Sequence, residues 1–538
     1  MRITTKIIQN NSLNNINTNK LLQDKLSQQM STEKKVNRPS DDPIVAIRAL
    51  RLRTNVNQVT QYYGKNVPDA ESWLEVTESA LSSMSEVVTD MISQCTKGSN
   101  EDLTTSDRET ILTALKALRD EVYSTGNADY AGRFIFTGYR TDTALTFTDT
   151  DKQEYTITEQ IDNSKIDTIT YVNSGNLLNI NESNFNQDGK DEDGNNIDEV
   201  KYAEINEFDV SSTEVYRMRL SYDDIKAATA GDFSIQVYKG EKTVDGRTVP
   251  EFQDLKEVLT ATDYQVASIY DAPSPYSNVG ENQVIIIEET GEILLGKNVY
   301  NELMSKSDNP ETNFDEGEIR IQYKKENWEN NDLRPEHYFA CSSKGINYNQ
   351  AYLEGISDED KQTIEYDVGL NQRIRVNTTA DEVFTHDISR DVEDMIKAME
   401  DTVAMEKQVQ KLKKMLETAD TTNGDYETVQ KQLEAAEKAF TFLNEKTQQI
   451  FENGITKMQK HLDAVNFAVT ENGTRGQKLE LISNRLMSQK TNFETLKSEN
   501  EDIDITDVAI KLSSAELTYS SALMATGKVL QNNLMNFI

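Results

Sequence analysis

All eight prolines of this 538-residue chain lie at or before Pro335. The 203 residues from 336 to 538 therefore contain none. A proline inside a helix removes a backbone hydrogen bond and clashes with the preceding turn, so its absence over such a length is typical of long helices. The pattern favours helices as the main structure of the C-terminal part of the chain.

Apolar residues in this part recur every three or four positions, which is the period of an amphipathic helix. One helix is predicted to start at Ile388, and a second to carry apolar positions over 429–469. The polar segment 421–425 predicts a turn between them, and Asn472-Gly473 predicts the end of the second helix. We expect these two helices to form an antiparallel hairpin.

Helical periodicity is present elsewhere in both halves of the sequence. A further C-terminal helix is predicted over 479–496, and a last one from Ile505 onwards after an acidic break. In the N-terminal part, the spacing predicts helices over 73–95 and 111–122, the second capped by Ser106-Asp107. The Met and Cys95 positions on these helices are predicted to fill the core.

The two chain ends are amphipathic as well, although the ends of an isolated monomer usually fray. Residues 3–30 and 505–537 place apolar side chains at helical spacing among polar ones. Such ends have apolar faces to bury, and other subunits would cover them. The predicted assembly interface comprises Ile3, Ile7, Leu13, Ile16, Leu22, Leu26, Ile505, Val508, Leu512, Ala515, Tyr519, Leu523, Leu530, Leu534 and Phe537.

The formal net charge of -36 is concentrated in the middle of the chain. Residues 1–140 have a net charge of zero, residues 141–380 carry -27, and residues 381–538 carry -9. This balance argues against nucleic acid or an anionic membrane surface as a main partner. No apolar run is long enough to span a bilayer, and the N-terminus lacks the apolar core of a cleaved signal peptide, so membrane insertion is not expected.

The middle of the chain is predicted to be rich in β-structure. Residues 284–295 form two β-rich runs around a Thr-Gly turn, and 233–238 and 319–323 alternate as half-buried strands do. The predicted fold class is α+β, with long terminal helices in a coiled-coil or bundle and an inserted β-rich outer domain. The predicted divisions are an inner helix at 1–40, a helical domain at 41–147 and 381–500, an acidic insert at 148–380 and an inner helix at 501–538.

No catalytic, cofactor or metal site is predicted. In the acidic segment 188–199, an EF-hand loop placed with Gly194 at its sixth position would put Gly189 and Val200 at the first and twelfth ligand positions, where neither supplies a carboxylate. A solvated acidic loop is the preferred interpretation. The chain lacks phosphate-cradling or hydrolase motifs, and its three histidines and two cysteines are scattered. We therefore do not expect an enzyme.

Several motifs near the two chain ends resemble the hook-associated protein 3 family and occur in the same order. This family comprises the hook–filament junction proteins of the flagellin superfamily. The motifs are Met1–Lys6, Asn11–Asn17, Arg48–Arg53, Ser72–Glu75, Gly132–Thr143, Asn532–Ile538 and the segment Arg38, Pro39, Ser40, Asp41, Asp42 and Pro43. By itself this last segment predicts a chain stop followed by a helix start, with Ser40, Asp41 or Asp42 as the cap and Pro43 in the first turn. The resemblance covers about 1–147 and 475–538 well, and the middle only loosely.

This resemblance implies an extracellular structural protein of the bacterial flagellum. It would assemble as a ring between the first hook-associated protein on the hook side and flagellin on the filament side. Its terminal helices would order on assembly, its N-terminus would be an uncleaved export signal, and an export chaperone would cover the C-terminal helix. Two alternatives stay open: a flagellin, which is the filament subunit, and a cytoplasmic coiled-coil adaptor.

Overall fold

The computed structural model describes residues 5–187, 201–227, 232–244, 247–271, 273–305, 318–354, 362–419 and 425–531. The predicted acidic loop at 188–199 and part of the predicted turn at 421–425 lie outside these ranges. The helices are α1 (Thr5–Thr32), α2 (Pro43–Gln61), α3 (Val67–Gly98), α4 (Thr105–Gly126), α5 (Leu255–Val258), α6 (Lys297–Met304), α7 (Ala380–Val383), α8 (His386–Thr418), α9 (Asp425–Glu501) and α10 (Ile505–Gln531). A π-helical turn at Tyr62–Asn66 joins α2 to α3 without a break.

The apolar stripe predicted over 73–95 lies on α3 and is largely buried. Trp73, Met84 and Met91 have no exposed surface, and Leu81 and Val88 form a second buried row beside them. The apolar contacts of these side chains stabilise the helix more than the weak propensity of its serines and threonines does. The prediction of this helix is confirmed.

The predicted cap of α4 was placed two residues too late. Thr104, not Ser106, is the N-cap: its hydroxyl accepts a hydrogen bond from the amide of Asp107, and the Asp107 carboxylate accepts one from the amide of Thr104. This reciprocal pair satisfies two backbone donors that the first turn leaves unpaired. Asp107 therefore contributes from the third helical position.

The predicted hairpin is formed by α8 and the first half of α9. Met405 and Leu412 of α8 pack with Leu433 and Ala439 of α9 in one buried cluster. Lys413 pairs with Glu437, Thr402 with Thr447 and Asp391 with Lys457, so the positions fall along α8 as they rise along α9, as an antiparallel pair requires. The hairpin prediction is confirmed.

The predicted helix end at Asn472-Gly473 is wrong, because α9 continues unbroken from Asp425 to Glu501. The Asn472 side chain is buried and its amide donates to the carbonyl of Leu74 (3.0 Å), while Arg475 donates to the carbonyl of Asn377 (2.9 Å). Gly473 lowers local helix propensity by about 1 kcal/mol relative to alanine. The tertiary hydrogen bonds on either side offset that loss, so a local stop signal is overridden.

The strands form two main sheets in the middle of the chain. They are β1 (Asp129–Tyr130), β2 (Arg133–Phe134), β3 (Asp151–Ile161), β4 (Ile166–Asn173), β5 (Ser211–Arg219), β6 (Ile225–Lys226), β7 (Ser234–Val244), β8 (Arg247–Asp254), β9 (Asp263–Ala267), β10 (Gln283–Ile287), β11 (Glu292–Leu295), β12 (Ile319–Trp328), β13 (Ala340–Ser343), β14 (Ile346–Tyr348), β15 (Glu365–Gly369) and β16 (Gln372–Arg375). One sheet has the order β4-β5-β11-β10-β9, with β9 and β10 parallel. The other has the order β14-β13-β3-β12-β7-β8, with β6 also on β12.

The predicted hairpin and strands are present as β10–β11, β7 and β12. Gly291 ends the hairpin turn with φ +63°, and a Cβ there would lie 2.0 Å from the carbonyl oxygen of Tyr222. Only glycine fits this position. The inward faces of the two sheets share one core, in which Trp328 stacks on Phe147 with ring centroids 4.7 Å apart. The central β-rich part and the long terminal helices confirm the predicted fold class.

A network of buried charges fixes this β-rich part to α8. Arg217 on β5 makes ion pairs with Asp167 (2.7 Å), Glu292 (2.6 Å) and Asp394 (2.8 Å). Arg219 also pairs with Asp394, at 2.6 Å. The two arginines alternate along a strand and so lie on the same face of the sheet.

The chain folds into two compact units. One contains residues 1–71, 366–374 and 476–538, and the other contains 72–365 and 375–475. Both chain ends thus belong to the same unit, which consists mainly of helix. The domain divisions proposed from the sequence stay predictions.

Candidate assembly surface

The two chain ends are joined at the loops where α1 and α9 end. The amide of Lys35 donates to the carbonyl of Glu501 (2.7 Å), and the amide of Ile503 donates to the carbonyl of Glu33 (3.1 Å). Glu33, directly after α1, has φ +57°, in the left-handed region. The Lys34 ammonium also donates to the Asp502 carboxylate. We call this set of contacts the terminal junction.

A bidentate ion pair extends the terminal junction to α2. The Arg53 guanidinium donates to both carboxylate oxygens of Glu501, each at 2.7 Å. The Glu501 side chain is 4% exposed, whereas that of Arg53 is 51% exposed. The hydrogen bond to Glu501 raises the pKa of Arg53 further above its usual range. Arg53 therefore compensates a carboxylate that is almost completely removed from water.

Replacing Arg53 with alanine should loosen the terminal junction. After the substitution, the buried Glu501 carboxylate keeps one described ion-pair partner, the more distant Lys34 ammonium at 3.9 Å. A buried group without its hydrogen-bond partner lowers the free energy of unfolding by roughly 1–3 kcal/mol. Hydrogen exchange at the amides of Lys35 and Ile503 should accelerate by about tenfold or more, at about 1.4 kcal/mol per factor of ten. The matched control is Arg51→Ala, two residues away and exposed, whose exchange should equal that of the parent. Unchanged exchange in Arg53→Ala would contradict the assigned role.

Beyond the junction, α1 and α10 run antiparallel and share a very small core. Its buried members are Leu26, Val508 and Ala515, each 7% exposed, and Ile503 and Leu512 pack against them at partial burial. Two long helices are thus held together by a few apolar contacts and the polar junction. Helical stability in proteins comes mainly from packing of an apolar face, and this pair has little of it.

Most large apolar side chains of this pair remain exposed to solvent. On α1 and α10 these are Ile7, Ile8, Leu13, Leu21, Leu22, Met30, Ile505, Ile510, Leu517, Leu523 and Met524. A large apolar patch on a protein surface is typical of an interaction surface. The residues that the structure describes thus leave apolar faces of α1 and α10 uncovered.

The residues predicted for the assembly interface fall into four groups in the structure. Exposed members are Ile7, Leu13, Leu22, Ile505 and Leu523. Half-buried members are Ile16, Leu512 and Tyr519. Members inside the chain's own α1–α10 core are Leu26, Val508 and Ala515. The structure does not describe the side chains of Ile3, Leu530, Leu534 and Phe537.

The segment Arg38–Pro43 starts α2 as predicted. Asp42 is the N-cap, and its carboxylate accepts hydrogen bonds from the amides of Ile44 (3.0 Å) and Val45 (3.1 Å). Pro43 occupies the first helical position, where a missing N–H does no harm. Asp41 accepts from the amide of Arg38 (3.0 Å) and closes the preceding turn.

Replacing Asp42 with alanine should weaken the start of α2. Loss of the two capping hydrogen bonds should cost about 1 kcal/mol. We expect faster hydrogen exchange at Ile44 and Val45, while Asp42→Asn, which retains a capping oxygen, should stay close to the parent. Equal effects of the two substitutions would indicate that the cap is not the cause.

Sequence reasoning missed two exposed apolar faces. Ile44, Ile47 and Leu50 on α2 are exposed, and so are Leu481 and Met487 on α9. On α2 these apolar positions are three residues apart and alternate with exposed arginines. Exposure of these side chains depends on the tertiary arrangement, which periodicity does not specify.

The chemistry of the described residues is that of packing and ion pairs. Cys95 and Cys341 are both buried and free, and burial raises the pKa of each thiol to about 12. Cys95 was predicted to be buried, and this is confirmed. Among the residues that the structure describes, no His, Cys, Asp or Glu cluster could hold a metal ion, and no helix is apolar enough over its length to cross a bilayer.

The N-terminal region of the chain is similar to a known protein family. Residues 3–141 match the family described as the bacterial flagellin N-terminal helical region. These residues span α1 to α4 and the capped segment Arg38–Pro43. The predicted resemblance of this part to the flagellin superfamily is confirmed.

Two hook-associated proteins and one flagellin are among the curated relatives that the chain matches. The chain is 33% identical over 145 residues to flagellar hook-associated protein 3 of Salmonella typhimurium and, equally, to that of Escherichia coli K12. Each match covers 27% of this chain and 45% of the relative. The chain thus spans less than half the length of the relatives it matches. This chain is also 28% identical over 122 residues to a flagellin of Clostridium tyrobutyricum. That match covers 23% of this chain and 32% of the flagellin.

Solved structures also overlap with the chain. The flagellar junction protein FlgL from Legionella pneumophila covers 85% of this chain, over 100% of its own length, at 10% identity. The TM-score of this overlap is 0.26.

Proposed function

We propose that this chain is a structural subunit of the bacterial flagellum that adapts the hook to the filament. Its role would be mechanical: it would form a ring of copies whose two faces fit different neighbours, and it would catalyse no reaction. The neighbours would be the first hook-associated protein on the hook side and flagellin on the filament side. The chain would act outside the cell.

The observation that carries this proposal is the uncovered apolar surface of α1 and α10. Among the side chains that the structure describes on this pair, Leu26, Val508 and Ala515 are buried at 7% exposure each, while most of the large apolar ones stay exposed. Burial at about 25 cal/mol per Å² drives association when such faces meet those of another subunit. The proposal that the terminal helices order fully on assembly rests on the same imbalance. An export chaperone at the C-terminal helix would cover the same apolar face before export.

A deletion mutant tests this function directly. We expect cells without the chain to build hooks, to lack filaments and to release flagellin into the medium. Restoring the gene should restore filaments. Normal filaments in the deletion mutant would overturn the proposal.

A flagellin is the second candidate, and the match to the Clostridium tyrobutyricum flagellin favours it to a lesser degree than the two matches to hook-associated protein 3. Copy number distinguishes the two functions. A ring at the junction needs few copies per flagellum, whereas a filament consists mostly of its subunit. Quantitative mass spectrometry of purified flagella would measure this ratio, and a dominant share for this chain would favour the flagellin function.

A further inference from the structure

We propose that the exposed apolar ridge of α2 docks into the groove between α3 and α4 of a second copy of this chain. The α2 ridge comprises Ile44, Ile47 and Leu50, flanked by Arg48 and Arg51. The inference deepens the proposed function, because it assigns one contact by which neighbouring copies would join in the ring.

The α2 ridge is a helix face that the described residues of the chain leave exposed. Ile44, Ile47 and Leu50 are 71%, 55% and 60% exposed. They are spaced three residues apart, so they lie along one side of the helix. Arg48 and Arg51 are exposed beside them and make no ion pair with any residue that the structure describes. The ridge is thus apolar along its crest and positive along its edge.

The α3/α4 groove has the opposite shape and the opposite charge. It is an open cleft of about 510 Å³ lined mainly by small side chains, with a carboxylate from each helix at its rim. The lining that matters here is Glu75, Ser79 and Ser83 of α3 and Glu121, Ser124 and Thr125 of α4. Within the described part of the chain, neither Glu75 nor Glu121 has an ion-pair partner.

Shape and charge together identify the occupant. Small side chains let a helix approach closely, so that its ridge enters the space between two others. Residues 44–51 and residues 75–83 each span about 10–12 Å at 1.5 Å per residue. Two unpaired guanidinium groups on the ridge face two unpaired carboxylates on the groove, and such complementarity fixes register between partners. A second copy supplies both surfaces at once.

The arrangement is head-to-tail, because a ridge on one copy meets a groove on the next. Such heterologous contacts generate rings when the rotation between copies closes. An isologous contact of two ridges or two grooves would bring like charges together. The charge pattern therefore selects ridge-to-groove contact over ridge-to-ridge contact.

Cross-linking between introduced cysteines tests the contact. Cells expressing both an Ile47→Cys chain and a Ser79→Cys chain are treated with a short bismaleimide, and the chain is examined in purified flagella. We expect covalent dimers from this mixture and a ladder of multimers when both substitutions are in one chain. The matched control replaces Ser79→Cys by Thr110→Cys, exposed on α4 but about 20 Å along the helix from Ser124, and should give no adduct.

Charge exchange supplies the second measurement. Arg48→Glu with Arg51→Glu should lower the adduct yield about tenfold or more, since like charges at an interface are strongly unfavourable. Glu75→Arg with Glu121→Arg should do the same, and combining all four in one chain should restore the yield to within about twofold. Filaments without a ridge-to-groove adduct, or a failure of the combined variant to recover, would overturn this inference and leave the proposed function standing. Absence of the chain from flagella would overturn both.

Discussion

Placing aspartates at Leu13, Leu22 and Leu523 should abolish filament formation while the isolated chain remains folded. All three side chains are exposed on α1 or α10, so each substitution should change the free energy of unfolding by at most about 1 kcal/mol. In an assembled ring, each aspartate would be an unpaired charge in an apolar interface, which costs roughly 3–5 kcal/mol. The triple variant should therefore be stable, soluble and unable to assemble.

The measurement combines electron microscopy of the cells with denaturant unfolding of the purified chain. A matched control carries aspartates at Phe208, Tyr270 and Leu370, which are more exposed but lie outside the terminal helices. Filaments should be normal in the control. Filaments of normal length in the Leu13, Leu22 and Leu523 variant would refute the role assigned to the terminal helices.

Replacing Asp394 with alanine should cause the largest loss of stability of any single substitution considered. Asp394 accepts from both Arg217 and Arg219, and its removal leaves these two buried cations with fewer counter-charges. Breaking a buried ion pair by removing one partner costs about 3–5 kcal/mol. Denaturant unfolding followed by tryptophan fluorescence would measure the change, since Trp328 is in the core between the two sheets.

The control for this experiment is Glu400→Ala on the same helix. Glu400 pairs with Lys116 at 2.6 Å, but both side chains are nearly half exposed. Pairs of this kind contribute about 0–1 kcal/mol. A loss of similar size in the two variants would show that burial of the Arg217 network is not what matters.

The cost of Asp394→Ala should depend on pH in a defined direction. Burial alone would raise the pKa of Asp394, but Arg217 and Arg219 hold it well below its usual range. A group whose pKa is lower in the folded state stabilises the fold above its unfolded pKa, which is about 4 for aspartate. The difference between parent and variant should therefore be greatest near neutral pH and shrink as the pH falls below about 4.

Local signals predicted the fold where the residues that decide it are close in sequence. The N-cap at Asp42 and the turn at Gly291 each depend on a few neighbouring residues. The sequence therefore predicted both the start of α2 and the turn of the β10–β11 hairpin. The apolar stripe on α3 was found because helical periodicity repeats over many turns. The predicted helix end at Asn472-Gly473 was wrong because the residues that decide it are far apart in sequence. The hydrogen bond that keeps α9 intact there joins Asn472 to Leu74, 398 residues away.

The surface and the buried charges were harder to predict for related reasons. Arg217 forms ion pairs with Asp167, Glu292 and Asp394, which are 50, 75 and 177 residues away in sequence. No local sequence pattern predicts ion pairs over such separations. The predicted assembly interface named apolar positions on the terminal helices, and their role in assembly stays a prediction. Periodicity alone did not separate Leu26 and Val508, which the chain covers itself, from Leu13 and Leu523, which it leaves uncovered.

The burial of both cysteines has a practical consequence for following this chain in living cells. A thiolate is the form that reacts with maleimide dyes, and neither Cys95 nor Cys341 forms it readily at neutral pH, since burial raises the pKa of each to about 12. A single cysteine introduced at an exposed position would then carry the only label, without removal of the native pair. Fluorescent subunits made in this way could be counted one at a time as a flagellum grows.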